Sequence, residues 1–78
     1  MDKYKIYFVN KYKWNDSAPM TTVSTFSTHA MAKLGIETNL IVQGNPDWDS
    51  NAILKSKYNL EPLDNYKVIN FSKKSVLL

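Results

Sequence analysis

Two tryptophans, Trp14 and Trp48, stand among polar residues where their ring faces could meet a ligand. Trp14 lies in the run Asn10-Lys-Tyr-Lys-Trp-Asn-Asp-Ser-Ala18, and Trp48 follows Gln43-Gly-Asn-Pro-Asp47. An indole face can stack on the apolar face of a sugar, while neighbouring amides and hydroxyls bond its hydroxyl groups. Asn10, Asn15, Ser17, Thr21, Gln43 and Asn45 supply such groups. The competing reading is that both rings pack against protein, because aromatic side chains carry large apolar areas.

Bond-making chemistry has fewer candidates. His29 is the only imidazole. Helical phase places it away from the Val23-Ala30-Leu34 face, near Thr22, Thr25 and Lys33, as a solvated surface residue. It has no cysteine or second histidine to share a metal with and no serine in a nucleophile elbow. Asp47 and Asp49 flank Trp48, and paired carboxylates can do acid–base work. In a proline-containing turn, however, aspartates more commonly serve turn and capping geometry. No catalytic residue and no metal ligand is assigned.

These residues need elements to hold them. Lys5 to Val9 reads as a first strand, and its four consecutive apolar residues suit burial on both faces of a parallel sheet. Asn10 to Ala18 reads as a loop. Met20 to Leu34 reads as a helix with Met20, Val23, Ser27, Ala30, Met31 and Leu34 on its inward face and Phe26 at the edge. Its many hydroxyls compete for backbone hydrogen bonds, so packing must hold it. Gly35 is its stop signal. Glu37 to Gln43 is the second strand. A short helix runs from Asn51 to about Tyr58, capped by Asp49 or Ser50, with Ala52, Ile53 and Lys57 or Tyr58 inward. Tyr66 to Phe71 is the third strand.

The order is β-α-β-α-β, an α/β fold with right-handed crossovers. It predicts three parallel strands in order 3-2-1, half of a Rossmann-like doubly wound sheet. Residues 1–78 then form a single, partial Rossmann-like domain. Its first strand has an open edge although its sequence expects burial, which points to a fragment of a longer chain or to a homodimer pairing those edges.

Composition narrows the classes. A chain of 78 residues is one domain at most, and its stability is marginal without further contacts. Cysteine is absent, so no disulfide or thiolate metal site can help. The net charge is +3, and all ten positive charges are scattered lysines. Without arginine there is no planar fork to read guanine, so nucleic acid is not an expected partner. No apolar run approaches the roughly 20 residues of a membrane span, and the start lacks a signal-peptide core. A cytoplasmic protein is expected, with peripheral membrane association left open. A dinucleotide site needs G-x-G-x-x-G after the first strand. That loop has no glycine, Gln43 stands where an acidic residue is expected, and no Walker A loop occurs. No cofactor is therefore expected.

The segment His29-Ala-Met-Ala-Lys-Leu-Gly-Ile-Glu-Thr-Asn-Leu-Ile-Val42 resembles the "LAxxLAKLGHEVxVIT" stretch of family-four (group 1) glycosyltransferases. Lys5-Ile-Tyr-Phe-Val-Asn10 is similar to their first strand, and Lys67-Val-Ile-Asn-Phe71 to the strand after the second helix. The likeness spans roughly residues 4 to 72, in pattern. It implies a GT-B architecture of two Rossmann-like domains, in which the N-terminal domain binds a glycan or lipid-linked acceptor. The C-terminal domain would bind the nucleotide-sugar donor. The chain departs from that pattern where the family carries a glycine pair, here Trp14-Asn-Asp-Ser-Ala-Pro19. The family's catalytic histidine and donor-binding acidic motif have no counterpart within 78 residues, so the isolated chain would not transfer a sugar. The alternative is a small, self-contained, non-enzymatic binding protein, dimeric through the first-strand edge.

Overall fold

The computed structural model describes residues 4–14 and 19–72. They form β1 (Lys5–Lys13), α1 (Pro19–Lys33), β2 (Glu37–Gln43), α2 (Ser50–Lys57) and β3 (Tyr66–Phe71). The three strands make one parallel sheet in the order β1-β2-β3, the expected half-sheet. Register sets Ile6 beside Thr38 and Tyr66, Phe8 beside Leu40 and Val68, and Asn10 beside Val42 and Asn70. This row faces both helices. Tyr66 Oη bonds Thr28 Oγ1 of α1 at 2.8 Å, and Ser50 Oγ of α2 donates to the Val68 carbonyl at 3.0 Å. The core between helices and sheet holds Trp14, Ala32, Leu40, Val42, Leu54, Tyr58, Tyr66 and Val68.

β1 runs four residues beyond its expected end at Val9. The pairing slips between Asn10 and Lys13, and Lys13 then stands opposite Gln43. Asn10 Oδ1 accepts the Tyr12 N–H at 2.9 Å and supports the irregularity from within. The Trp14 N–H donates to the Gln43 carbonyl at 2.8 Å and closes the ladder. A polar stretch that reads as loop is therefore strand.

The inward face of α1 is the reverse of the expected one. Val23 is 61% exposed and Leu34 81%, and Met20, Phe26, Ser27 and Ala30 also face outward. The buried residues are Thr21, Ser24, Thr25, Thr28, His29 and Ala32. Hydroxyls can be buried once they are hydrogen-bonded. Ser24, Thr25 and Thr28 donate to the carbonyls of Met20, Thr21 and Ser24 at 2.8, 2.6 and 2.6 Å. Their oxygens then accept from the sheet side: Asn10 Nδ2 reaches Ser24 Oγ at 2.7 Å, and Trp14 Nε1 reaches Thr25 Oγ1 at 3.0 Å. His29 is likewise buried, not solvated: its Nε2 lies 2.7 Å from the Glu61 carbonyl and its ring meets Tyr66 edge-on at 5.4 Å.

The helix ends follow the sequence signals. Gly35 takes φ +94°, and its N–H donates to the Ala32 carbonyl at 2.9 Å. Asp49 caps α2 by accepting the Ala52 N–H at 3.2 Å. α2 buries Leu54, with Tyr58 just past its end and Ile53 half-buried; Ala52, expected inward, is exposed. Because both helices cover one face, the other face of the sheet carries, besides Asn39 and Lys67, the apolar residues Tyr7, Val9, Ile41, Ile69 and Phe71. Among these, Tyr7, Val9 and Ile69 are exposed.

Candidate functional site

At the carboxyl ends of the strands, Lys13, Gln43, Gly44, Asn45, Pro46, Trp48 and Ser72 surround an open crevice of about 670 Å³. This is where parallel α/β sheets characteristically bind ligands, and the volume falls within the range of small-molecule sites. The wall begins where β2 ends. The Gly44 N–H donates to the Phe71 carbonyl at 2.8 Å, so the chain leaves the sheet still tied to β3. Asn45 Oδ1 then accepts the Asp47 N–H at 2.9 Å, and the Asn45 carbonyl accepts the Trp48 N–H at 3.0 Å. These two bonds fold the turn back and present Trp48, half-buried and packed against the core. A Cβ at Gly44 would run into Asn70 Oδ1 and come within 2.9 Å of the Trp48 ring, so only glycine permits this approach.

Gln43, Asn45 and Trp48 thus come together. The residues expected from the first loop do not join them. Trp14 is fully buried: its indole N–H is taken by Thr25, and its ring stacks on Tyr58 at 5.5 Å and 14°. It has no free face for a sugar. Asn10 and Thr21 are buried in the contact between α1 and the sheet. Asn15 and Ser17 lie outside the described residues. The physical reason is the longer β1, which carries Trp14 under α1. That length also brings Lys13 to the crevice, a placement that ending the strand at Val9 hid.

Behind the wall, Asn70 Nδ2 donates to Ser50 Oγ at 3.1 Å, while buried Asn70 Oδ1 has no partner among the described residues. A second groove, about 510 Å³, runs along the outer edge of β3 between Asp49-Ser50-Asn51 and Leu63-Asp64.

Among the described residues, the charged side chain lining the crevice is Lys13. Asp47 is exposed in the adjoining turn, and the Asp49 carboxylate is committed to its cap. At the opposite end of the sheet Lys5 pairs with Glu37 at 3.2 Å, and that hydrogen bond raises the lysine pKa. Burial pushes the Tyr66 hydroxyl up to about 12. His29 is engaged with the Glu61 backbone carbonyl and the edge of Tyr66. Among the described residues, no group of three or more His, Cys, Asp or Glu side chains converges to hold a metal. No helix among them is long and apolar enough to cross a membrane. The arrangement can hold a small polar ligand against an indole face.

Compared with known proteins, the chain matches no family model, no curated protein and no solved structure.

Proposed function

We propose that this chain is the acceptor-binding part of a glycosyltransferase of the two-domain, family-four kind. The observation that carries the reading is the crevice at the strand ends, where the half-buried Trp48 ring stands beside the amides of Gln43 and Asn45. Stacking plus amide bonding is the chemistry that recognises a sugar. The likeness of residues 29–42 to the family segment, on a helix and strand in the matching order, adds to it. In this reading the protein works in the cytoplasm on a glycan or lipid-linked acceptor, at or near a membrane surface. Donor and catalytic groups come from a second domain, so the native protein is on the order of 40 kDa. The test is Trp48→Ala in the intact protein. Acceptor KM should rise with donor KM unchanged; an unaltered acceptor KM would overturn the assignment.

One observation favours the second reading, a self-contained binding protein. Among the described residues no strand pairs the outer edge of β1, where Tyr7, Phe8 and Val9 are exposed. An open apolar edge is a ready surface for a second copy. A dimer by light scattering that becomes monomeric on Phe8→Lys supports this reading. A well-folded monomer without the substitution rules it out.

A further inference from the structure

Lys13 gives the crevice a positive charge, which recognition of a neutral sugar does not require. It is the cation lining the space beside Trp48, and no carboxylate is paired with it among the described residues. Lys5, at the other end of the same strand, contrasts with it, since Glu37 neutralises that charge. Neither described aspartate of the adjoining turn lines the crevice: Asp49 caps α2 and Asp47 is exposed.

The position of Lys13 is fixed from both sides. It pairs with Gln43 in the sheet, after the irregularity that begins at Asn10. The next residue, Trp14, is anchored three ways: by its N–H on the Gln43 carbonyl, by its indole on Thr25 and by its stack on Tyr58. The backbone that carries the lysine therefore belongs to the core, although the ammonium sits on a flexible four-carbon stem. Gln43, opposite, is itself a wall of the crevice.

We propose that the crevice takes the phosphate ester of a sugar, with the ring on Trp48 and the phosphate on Lys13. This rests on the acceptor-binding reading and narrows it to an anionic acceptor. Phosphate is favoured over carboxylate because an ammonium is a compact point charge that suits phosphate, whereas planar carboxylates are matched best by the guanidinium fork. The chain has no arginine. The phosphate can belong to a free sugar phosphate or to a lipid-borne one.

The test is fluorine NMR of the intact protein labelled with 5-fluorotryptophan, the Trp48 signal being assigned with Trp48→Phe. Methyl glucoside, glucose 1-phosphate and phosphatidylcholine vesicles with or without phosphatidylinositol are titrated in turn. Glucose 1-phosphate or the phosphatidylinositol vesicles should bind about fivefold more tightly than the phosphate-free counterpart at low salt, as one charge-assisted contact allows. Lys13→Gln should abolish that advantage. Which probe gains identifies the source of the phosphate. Equal binding of neutral and phosphorylated probes overturns the phosphate assignment and leaves the sugar reading standing. An advantage that persists in Lys13→Gln places the anion on other lysines and also overturns it. No response of Trp48 to any probe overturns both.

Discussion

Thr25→Val removes a single hydroxyl from the buried side of α1. That oxygen accepts the Trp14 indole N–H at 3.0 Å and donates to the Thr21 carbonyl at 2.6 Å. The Thr21 carbonyl also serves the helix ladder, so losing the second bond costs little. The Trp14 indole N–H is different: the ring is fully buried, and Thr25 Oγ1 is its acceptor among the described residues. Leaving a buried donor unsatisfied costs about 1–3 kcal/mol. The new methyl returns somewhat under about 1 kcal/mol, and valine and threonine have similar helix propensities. The net loss is about 1–2 kcal/mol, or roughly 5–15 °C in Tm for a domain of this size. Urea unfolding followed by circular dichroism measures it. Ser27→Ala, on the exposed side of the same helix, is the control and should fall within about 0.5 kcal/mol of the parent. In a Trp14→Phe background the penalty should shrink by about 1 kcal/mol, because phenylalanine has no N–H to strand. A Thr25→Val protein as stable as Ser27→Ala, with no coupling to position 14, would refute the inward hydroxyl face.

The same orientation predicts that Val23→Lys and Leu34→Lys each change stability by no more than about 0.5 kcal/mol, since both side chains are mostly exposed; losses of several kcal/mol in urea melts would mean that the apolar stripe is the core face. Alkaline unfolding should report Tyr66. Its folded pKa of about 12 exceeds the ordinary value of 10.0, so the unfolded state loses its proton first. The contribution is complete below pH 10 and disappears as pH rises towards 12, by roughly 2–3 kcal/mol at most. Tyr66→Phe should flatten that part of the stability profile, and an unchanged profile would refute the burial argument.

The fold was legible because its signals are local and strong. Apolar runs at Ile6–Val9, Leu40–Val42 and Val68–Ile69 mark strands, Gly35 stops a helix, and Asp49 starts one. The face of α1 was not legible, because periodicity assigns burial to apolar residues. Here Ser24, Thr25 and Thr28 are buried because their donors are satisfied within the helix and their oxygens meet Asn10, Trp14 and Tyr66. No local pattern encodes partners that lie ten to forty residues away. The site was half legible for the same reason. Gln43, Asn45 and Trp48 share one turn, so sequence proximity brings them together. Trp14 and Lys13 part company with the expected loop because a slipped pairing at Asn10 extends β1.

The uncovered face of the sheet separates the two functional readings. A sheet built to face water alternates apolar and polar residues along each strand. Here Val9, Ile41 and Ile69 lie side by side in register across all three strands on the face away from the helices, between the Tyr7-Asn39-Lys67 row and the Gln43-Phe71 pair. The first strand is apolar at both parities, as for a sheet covered on both sides, and the described residues supply one cover. Pairing a second copy at the β1 edge would extend the sheet and leave this row bare, whereas further helices of a larger domain would cover it. Ile69→Lys measures the difference. In the 78-residue chain Ile69 is 42% exposed, and a lysine can reach water, so the loss should stay near or below about 1 kcal/mol. In the intact protein of the glycosyltransferase reading, the same lysine would be buried without a partner. It should then cost several kcal/mol in urea melts. Equal, small losses in both contexts would mean that nothing covers this face, and the larger-domain reading would fail with it.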